Sequence, residues 1–194
     1  MLAFLGGTGT SNLREGNIWI NPNNYNDFIY LPFVPYPSSG SSSNFLGLPN
    51  NGDFLNSEKI KGFKKWNGFP LIWSVMASPD IKGEVKLENL VQSMELYARV
   101  GVDILEVNVS CPNTNCDDEF DKTEVVIEYI SDNFLKKREK HIPVIVKFSL
   151  DTKMYDIPHL LDLLIEKKFD GVNFGNTSKD YKRIGENDTG LNTG

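Results

Sequence analysis

The chain has 194 residues, a formal net charge of -6, 40% hydrophobic and 24% charged residues. That is enough apolar material for one sizeable core, and the balance is that of a water-soluble globular domain rather than a disordered or fibrous one. The acidic charge supplies no basic stripe for nucleic acid, no apolar run reaches the ~20 residues of a membrane span, and two cysteines cannot form a disulfide framework.

Met1 to Leu5 reads as a short strand running into Gly6-Gly7-Thr8-Gly9, and is too short for a secretory signal. Residues 11–55 are rich in Asn, Pro, Ser and Gly and read as an irregular, loop-rich insertion. Within it Phe28 to Val34 predicts a short strand, and Pro35 to Ser43 a mobile low-complexity stretch. Asn56 to Trp66 is a helix of poor pattern. From residue 69 the signal becomes regular, with strand Leu71 to Met76 followed by an amphipathic helix over Leu87 to Val100 that Gly101 ends. Then come strand 103–109, a helix near Lys122 to Lys137, strand Val144 to Phe148, helix Ile157 to Lys167 and strand Gly171 to Phe174. Strands alternating with helices imply βαβ units on a parallel sheet.

The densest chemistry follows the strand at 103–109. Val102, Ile104, Leu105, Val107 and Val109 suit a strand covered on both faces, and Pro112 stops it. Cys111 therefore stands just past a strand's C-terminal end, where parallel α/β folds bind ligands. A thiolate there could remove a proton, while the neighbouring Asn108 and Asn113 could only hydrogen-bond. A small buried hydrophobe is the other reading of a lone cysteine. Cys111 and Cys116 fit a reduced, cytoplasmic setting. No metal site is expected, because neither His141 nor His159 lies at ligand spacing from them.

The stretch Asn108-Val109-Ser110-Cys111-Pro112-Asn113 resembles the dihydroorotate dehydrogenases, flavin enzymes of pyrimidine synthesis. Cysteine at 111 resembles their soluble class. Further matches stand in family order: Arg14-Glu15-Gly16-Asn17, Asn44-Phe45-Leu46-Gly47-Leu48-Pro49-Asn50, Val144-Ile145-Val146-Lys147 and Asn173-Phe174-Gly175-Asn176-Thr177. The resemblance implies a (β/α)8 TIM barrel that binds FMN and oxidises dihydroorotate to orotate. Such a barrel needs ~250 residues, so about five or six of its eight strands are expected here, in one incomplete domain over residues 1–194. The first barrel strand is expected to be missing upstream of Met1. The tail Gly190 to Gly194 resembles the glycine-rich segment before the last two strands, so a fragment or one part of a split protein is expected.

The resemblance also implies roles. Cys111 is the general base that takes the substrate's C5 proton. Asn44, Asn108, Asn113 and Asn176 hold the substrate ring. Leu46, where the family often has Met, lies beside it, and Gly47 and Leu48 offer backbone N–H groups to its carboxylate. Thr8, Asn108, Lys147, Thr177 and Gly190 face FMN, with Lys147 stabilising negative charge on the ring. The partners implied are the small-molecule substrate and a second copy or an electron-transfer subunit, with no nucleic acid and no membrane. Asp103, Glu106 and the run Asp117-Asp118-Glu119 read as solvated or structural.

The chain departs from the family pattern where Gly7 replaces a usual lysine, for which Lys59, Lys61 or another chain could substitute. The stretch from Asn17 to Asn44 is also longer than usual. The competing functions are another FMN barrel or a non-catalytic subunit of the same fold. Dihydropyrimidine dehydrogenase usually carries His in place of Asn113, and tRNA dihydrouridine synthases call for a basic surface. Gly7 favours the non-catalytic reading; the retained Cys111, Lys147 and asparagines oppose it.

Overall fold

A computed structural model describes residues 3–21, 23–30, 32–38, 40–65, 68–109 and 119–178. In chain order the elements are β1 (Phe4–Gly9), β2 (Trp19–Asn21), β3 (Asn24–Tyr30), β4 (Phe33–Tyr36), β5 (Ser41–Asn44), α1 (Gly52–Lys61), β6 (Leu71–Val75), α2 (Val85–Arg99), β7 (Ile104–Asn108), α3 (Thr123–Ile130), β8 (Val144–Ser149), α4 (Ile157–Glu166) and β9 (Gly171–Asn176). A 3-10 turn, Glu119–Asp121, precedes α3, and a π-helical turn, Ser131–Leu135, prolongs it.

Five strands form one sheet in the order β1-β6-β7-β8-β9, every neighbouring pair parallel. Alternation decides which side of each strand is apolar. On β8, Val144, Val146 and Phe148 are buried while Ile145, Lys147 and Ser149 are half-buried. Val75, Leu105, Val107 and Val144 pack with Leu87, Leu90, Met94 and Tyr97 of α2 and with Val126 and Ile130 of α3. Val146 and Phe148 pack with Ile127 of α3 and with Leu160 and Leu164 of α4. Each fully buried Leu or Val contributes about 1.5–3 kcal/mol, so this seam is what fixes the register. The other face carries Ser74, Glu106, Asn108, Lys147 and Asn173, brought level by the pairings Ser74↔Glu106, Asn108↔Lys147 and Lys147↔Asn173. Parallel strands with helices against one face are an arc of the expected barrel.

Three expectations are corrected in detail. The first strand lies at Phe4–Gly9 rather than Met1 to Leu5. Residues 11–55 are not loop alone: β2 pairs with β3 and β4 with β5, both antiparallel, so Pro35 to Ser43 falls mostly in a hairpin and Phe28 to Val34 spans two hairpins. Helix α1 starts four residues earlier than its expected Asn56 and buries Asp53, Asn56, Ser57 and Ile60. That stripe has helical spacing but is mostly polar, which hides it from a hydrophobic pattern.

Candidate functional site

A cleft of about 460 Å³ opens at the C-terminal ends of the parallel strands, within the usual range for small-molecule sites. Gly7 and Thr8 of β1, Asn108 of β7, Lys147 of β8 and Asn176 and Thr177 at the end of β9 line it, with Trp73 of β6. Asn44, Leu46, Leu48, Pro49, Asn50 and Asn51 close one side, and Asn56 reaches in from α1.

The floor is a relay of oriented polar groups. The Thr8 and Ser74 hydroxyls lie 3.0 Å apart, and Asn108 Nδ2 donates to Thr8 Oγ1 at 3.3 Å. Asn176 Nδ2 donates to Asn108 Oδ1 at 3.1 Å, and Asn176 Oδ1 accepts from the Thr177 backbone N–H at 2.9 Å. Each amide is thus held in one orientation by its neighbour, which pre-organises the row. Lys147 lies between Asn108 and Asn173 in register and is the one cation among the described lining residues.

Of the two readings of Glu106, solvated or structural, burial leaves the structural one. It is 1% exposed, two residues before Asn108 and on the same face. Its Oε2 accepts from Asn173 Nδ2 at 2.8 Å, and its Oε1, which makes no hydrogen bond among the described residues, lies 4.0 Å from Lys147 Nζ.

The side wall is built by the segment Arg14 to Asn17. Arg14 Nε and Nη2 both donate to the Gly47 carbonyl, at 3.3 and 3.1 Å, and Nη1 pairs with Asp80. The Asn17 backbone N–H donates to the Leu46 carbonyl and its Nδ2 to the Phe45 carbonyl, both at 2.9 Å. Arg14 and Asn50 exchange backbone hydrogen bonds at 2.9 Å each. Gly16 is required here: it has φ +66°, and a Cβ would come within 2.4 Å of the Leu46 carbonyl oxygen. Asn50 is consumed by structure, since its Oδ1 accepts from the Thr10 and Gly52 N–H groups and its Nδ2 donates to Thr10 Oγ1 and the Leu48 carbonyl.

Behind the cleft, Asp53 of α1 accepts from Ser93 Oγ and from Tyr97 OH of α2, the latter at 2.8 Å. Burial pushes the Asp53 carboxyl above its ordinary value, against these two hydrogen bonds. Burial, with the Asp53 charge beside it, drives the Tyr97 hydroxyl upward too. This clamp fixes the helix that carries Asn56.

Of the residues expected at the site, Thr8, Asn44, Leu46, Leu48, Asn108, Lys147, Asn176 and Thr177 come together in this one cleft. Gly47 is buried with φ +72° and does not line it. Cys111, Asn113 and Gly190 lie outside the described residues, as do Asp117 and Asp118. Neither Lys59 nor Lys61 lines the cleft, so neither takes the place left by Gly7. Asn50, Asn56 and Trp73 were missed as lining residues; Asn50 closes the quoted Asn44–Asn50 motif, whereas Trp73 gave no signal.

The donor set fits the ring of the flavin implied by the resemblance. Amides and an ammonium at a strand-end floor suit a flat heterocycle with carbonyl and N–H edges, and Gly7 leaves the floor open beside Thr8. The glycine-rich tail implied for the phosphate lies outside the described residues.

A family model described as dihydroorotate dehydrogenase matches residues 34–190. The fold is similar to that of DHODH from Eimeria tenella in complex with ferulenol, at TM-score 0.67 and 16% identity over 96% of this chain and 51% of that one. It is equally similar to ligand-free type DHODH from Eimeria tenella, at TM-score 0.67 and 12% identity over 98% and 57%. The chain spans little more than half the length of these structures, and at such identities the likeness is one of fold. Among curated proteins, none matches.

Proposed function

The chain belongs to the dihydroorotate dehydrogenase family, and from that premise we propose that it carries the substrate and flavin-ring site of an FMN-dependent oxidation of dihydroorotate to orotate. The observation that carries the reading is the convergence of Thr8, Asn44, Asn108, Lys147, Asn176 and Thr177, drawn from distant parts of the chain, on one strand-end cleft.

The substrate loses a proton from C5 and a hydride from C6. FMN, when bound, supplies the two-electron acceptor for that hydride. Cys111, in the segment after β7, takes the proton, which requires its thiolate form. Asn44 and Asn176 pair with the carbonyl and N–H edges of the substrate ring, with Asn113 beside Cys111 assigned the same task. The backbone N–H group of Leu48, which lines the cleft, is assigned to the substrate carboxylate; Gly47, which does not line it, shapes that turn. Asn108 and Thr8, already bonded to each other, would hold the flavin ring, together with Thr177. Lys147 presents positive charge where negative charge develops, a pre-organised electrostatic contribution.

The test is to mix the purified chain with FMN, exclude oxygen, add dihydroorotate and follow the flavin band near its visible maximum. Bleaching supports substrate, cofactor and half-reaction together. Flavin that binds and stays oxidised refutes the catalytic reading and favours a non-catalytic member, to which the loss of the lysine at Gly7 points.

Among the described residues no helix is long and apolar enough to cross a membrane. A cytoplasmic protein acting with a second copy or an electron-transfer subunit completes the proposal.

A further inference from the structure

We infer that Glu106 is a positioning residue for Lys147, acting as the buried counter-ion that holds its ammonium at the cleft floor and offsets its charge. The inference rests on the flavin reading only for its effect on the cofactor; the pairing itself does not need it.

Glu106 is placed as a counter-ion rather than as a casual hydrogen-bond partner. It is 1% exposed on the central strand β7, and removing a carboxylate from water that completely is costly without compensation. Asn173 on β9 fixes one oxygen at 2.8 Å, which orients the group. The second oxygen receives no hydrogen bond from the described residues and faces the Lys147 ammonium on β8 at 4.0 Å. At that separation Coulomb attraction still acts, and inside a protein it is screened far less than in water. Register secures the arrangement: Lys147 on the neighbouring strand β8 is level with Asn173 on β9, so the ammonium and the amide reach the carboxylate from the same side of β7. The amide holds the carboxylate and the carboxylate holds the ammonium.

The consequence is electrostatic. Lys147 is the one cation among the cleft's described lining residues, and Glu106 stands 4.0 Å behind it. A lysine so compensated attracts an anionic ring less strongly than a bare one. Glu106 would thus temper the cleft's pull on negative charge while keeping the lysine in place.

Two readouts test this without turnover. In flavin-free protein at pH 8, Lys147 acetylation by acetic anhydride is followed by peptide mass spectrometry, with exposed Lys59 as the internal reference. Glu106→Gln keeps the acceptor for Asn173 and removes the charge, so Lys147 is expected to react at least threefold faster. Asn173→Ala, which removes the hydrogen bond and keeps both charges, is expected to stay within twofold of wild type. Glu106→Asp, which keeps the charge and draws it back by one methylene, is expected to give an intermediate rate; it preserves the readout if the glutamine variant does not fold. In FMN-loaded protein, sulfite titration reads the positive charge beside the ring, because the adduct is anionic; Glu106→Gln is expected to bind sulfite at least fivefold more tightly. An unchanged acetylation rate in the folded Glu106 variants overturns the inference, with or without flavin. A chain that binds no FMN but shows the acetylation change retains the counter-ion and loses only the flavin reading.

Discussion

Replacing Arg14 by alanine isolates the clamp that holds the cleft's side wall. The guanidinium makes two bonds to one acceptor, the Gly47 carbonyl, at 3.3 and 3.1 Å, and pairs with Asp80. The Arg14 side chain is 14% exposed and that of Asp80 61%, so the carbonyl bonds dominate. A hydrogen bond from a charged donor contributes about 1.5–3 kcal/mol net, and an ion pair to so exposed a partner about 0–1 kcal/mol. The backbone exchange with Asn50 and both bonds from Asn17 survive the substitution. The segment from Asn44 to Asn50 therefore loosens rather than detaches. If about 2 kcal/mol falls on its order, the binding-competent arrangement is depleted by roughly 30-fold, at about 1.4 kcal/mol per tenfold. The expected outcome is a 10- to 30-fold rise in KM for dihydroorotate, by roughly the same arithmetic. The Kd for FMN, set on the floor, is expected to stay within about threefold of wild type. Amide exchange at Gly47 and Leu48 should accelerate in parallel, and Arg14→Lys, which lacks the fork, should fall between. Unchanged KM and unchanged exchange in Arg14→Ala would refute the clamp.

Cys111→Ala is expected to abolish turnover and leave FMN bound, read as stopped-flow flavin reduction at constant flavin content; a wild-type rate removes the general-base role. Gly7→Lys does not restore the family's cation: Gly7 has φ +91°, and a Cβ would lie 2.4 Å from the Ser74 carbonyl oxygen. It is expected to cost at least about 1–2 kcal/mol in urea unfolding with no gain in ligand affinity, and a stable, tighter-binding variant contradicts the geometry. Asp53 supplies a pH test. Its folded carboxyl is raised above the ordinary 3.8, so the folded state binds that proton more readily than the unfolded chain. This contribution to stability is whole below the unfolded value and is lost as pH rises through the folded one. Asp53→Asn lacks it, so the variant's unfolding midpoint is expected to rise relative to wild type from pH 4 to pH 7; a constant difference shows that the carboxyl does not titrate as described.

Elements with apolar stripes were legible in the sequence. Leu87, Leu90, Val91 and Met94 mark α2, and Val144, Val146 and Phe148 mark β8, each within a residue or two of its observed bounds. Helix α1 was misplaced because Asp53, Asn56 and Ser57 form its buried face, a pattern that becomes intelligible only when Ser93 and Tyr97 are seen opposite Asp53. The hairpins β2–β3 and β4–β5 were obscured by the Asn-, Ser- and Pro-rich composition of their strands. At the site, motif order marked Asn44, Asn108, Lys147 and Asn176, because strand ends are where such a fold concentrates its chemistry. Glu106 read only as solvated or structural, because a glutamate among apolar residues leaves both open until strand register shows what lies beside it. The meaning of Arg14-Glu15-Gly16-Asn17 also stayed hidden: its bonds run to residues 45–50, a pairing across the intervening hairpins that spacing alone does not reveal.

The floor relay has a consequence for how the molecule reaches its native state. Thr8 and Asn108 are 100 positions apart, and Asn108 and Asn176 a further 68. Contacts over such spans, between strands that are not neighbours in the sheet, are non-local and form late, which makes assembly slow. A one-residue slip of β9 would also turn Asn176 to the wrong face. The cleft is thus complete only when three distant strands have docked in register, and a ligand that needs all three recognises the finished form alone. Such a ligand acts as a thermodynamic latch, stabilising the docked strands by about 2.7 kcal/mol at a hundredfold excess over its Kd. Cofactor supply during synthesis, as much as the sequence itself, would then set how much folded protein accumulates.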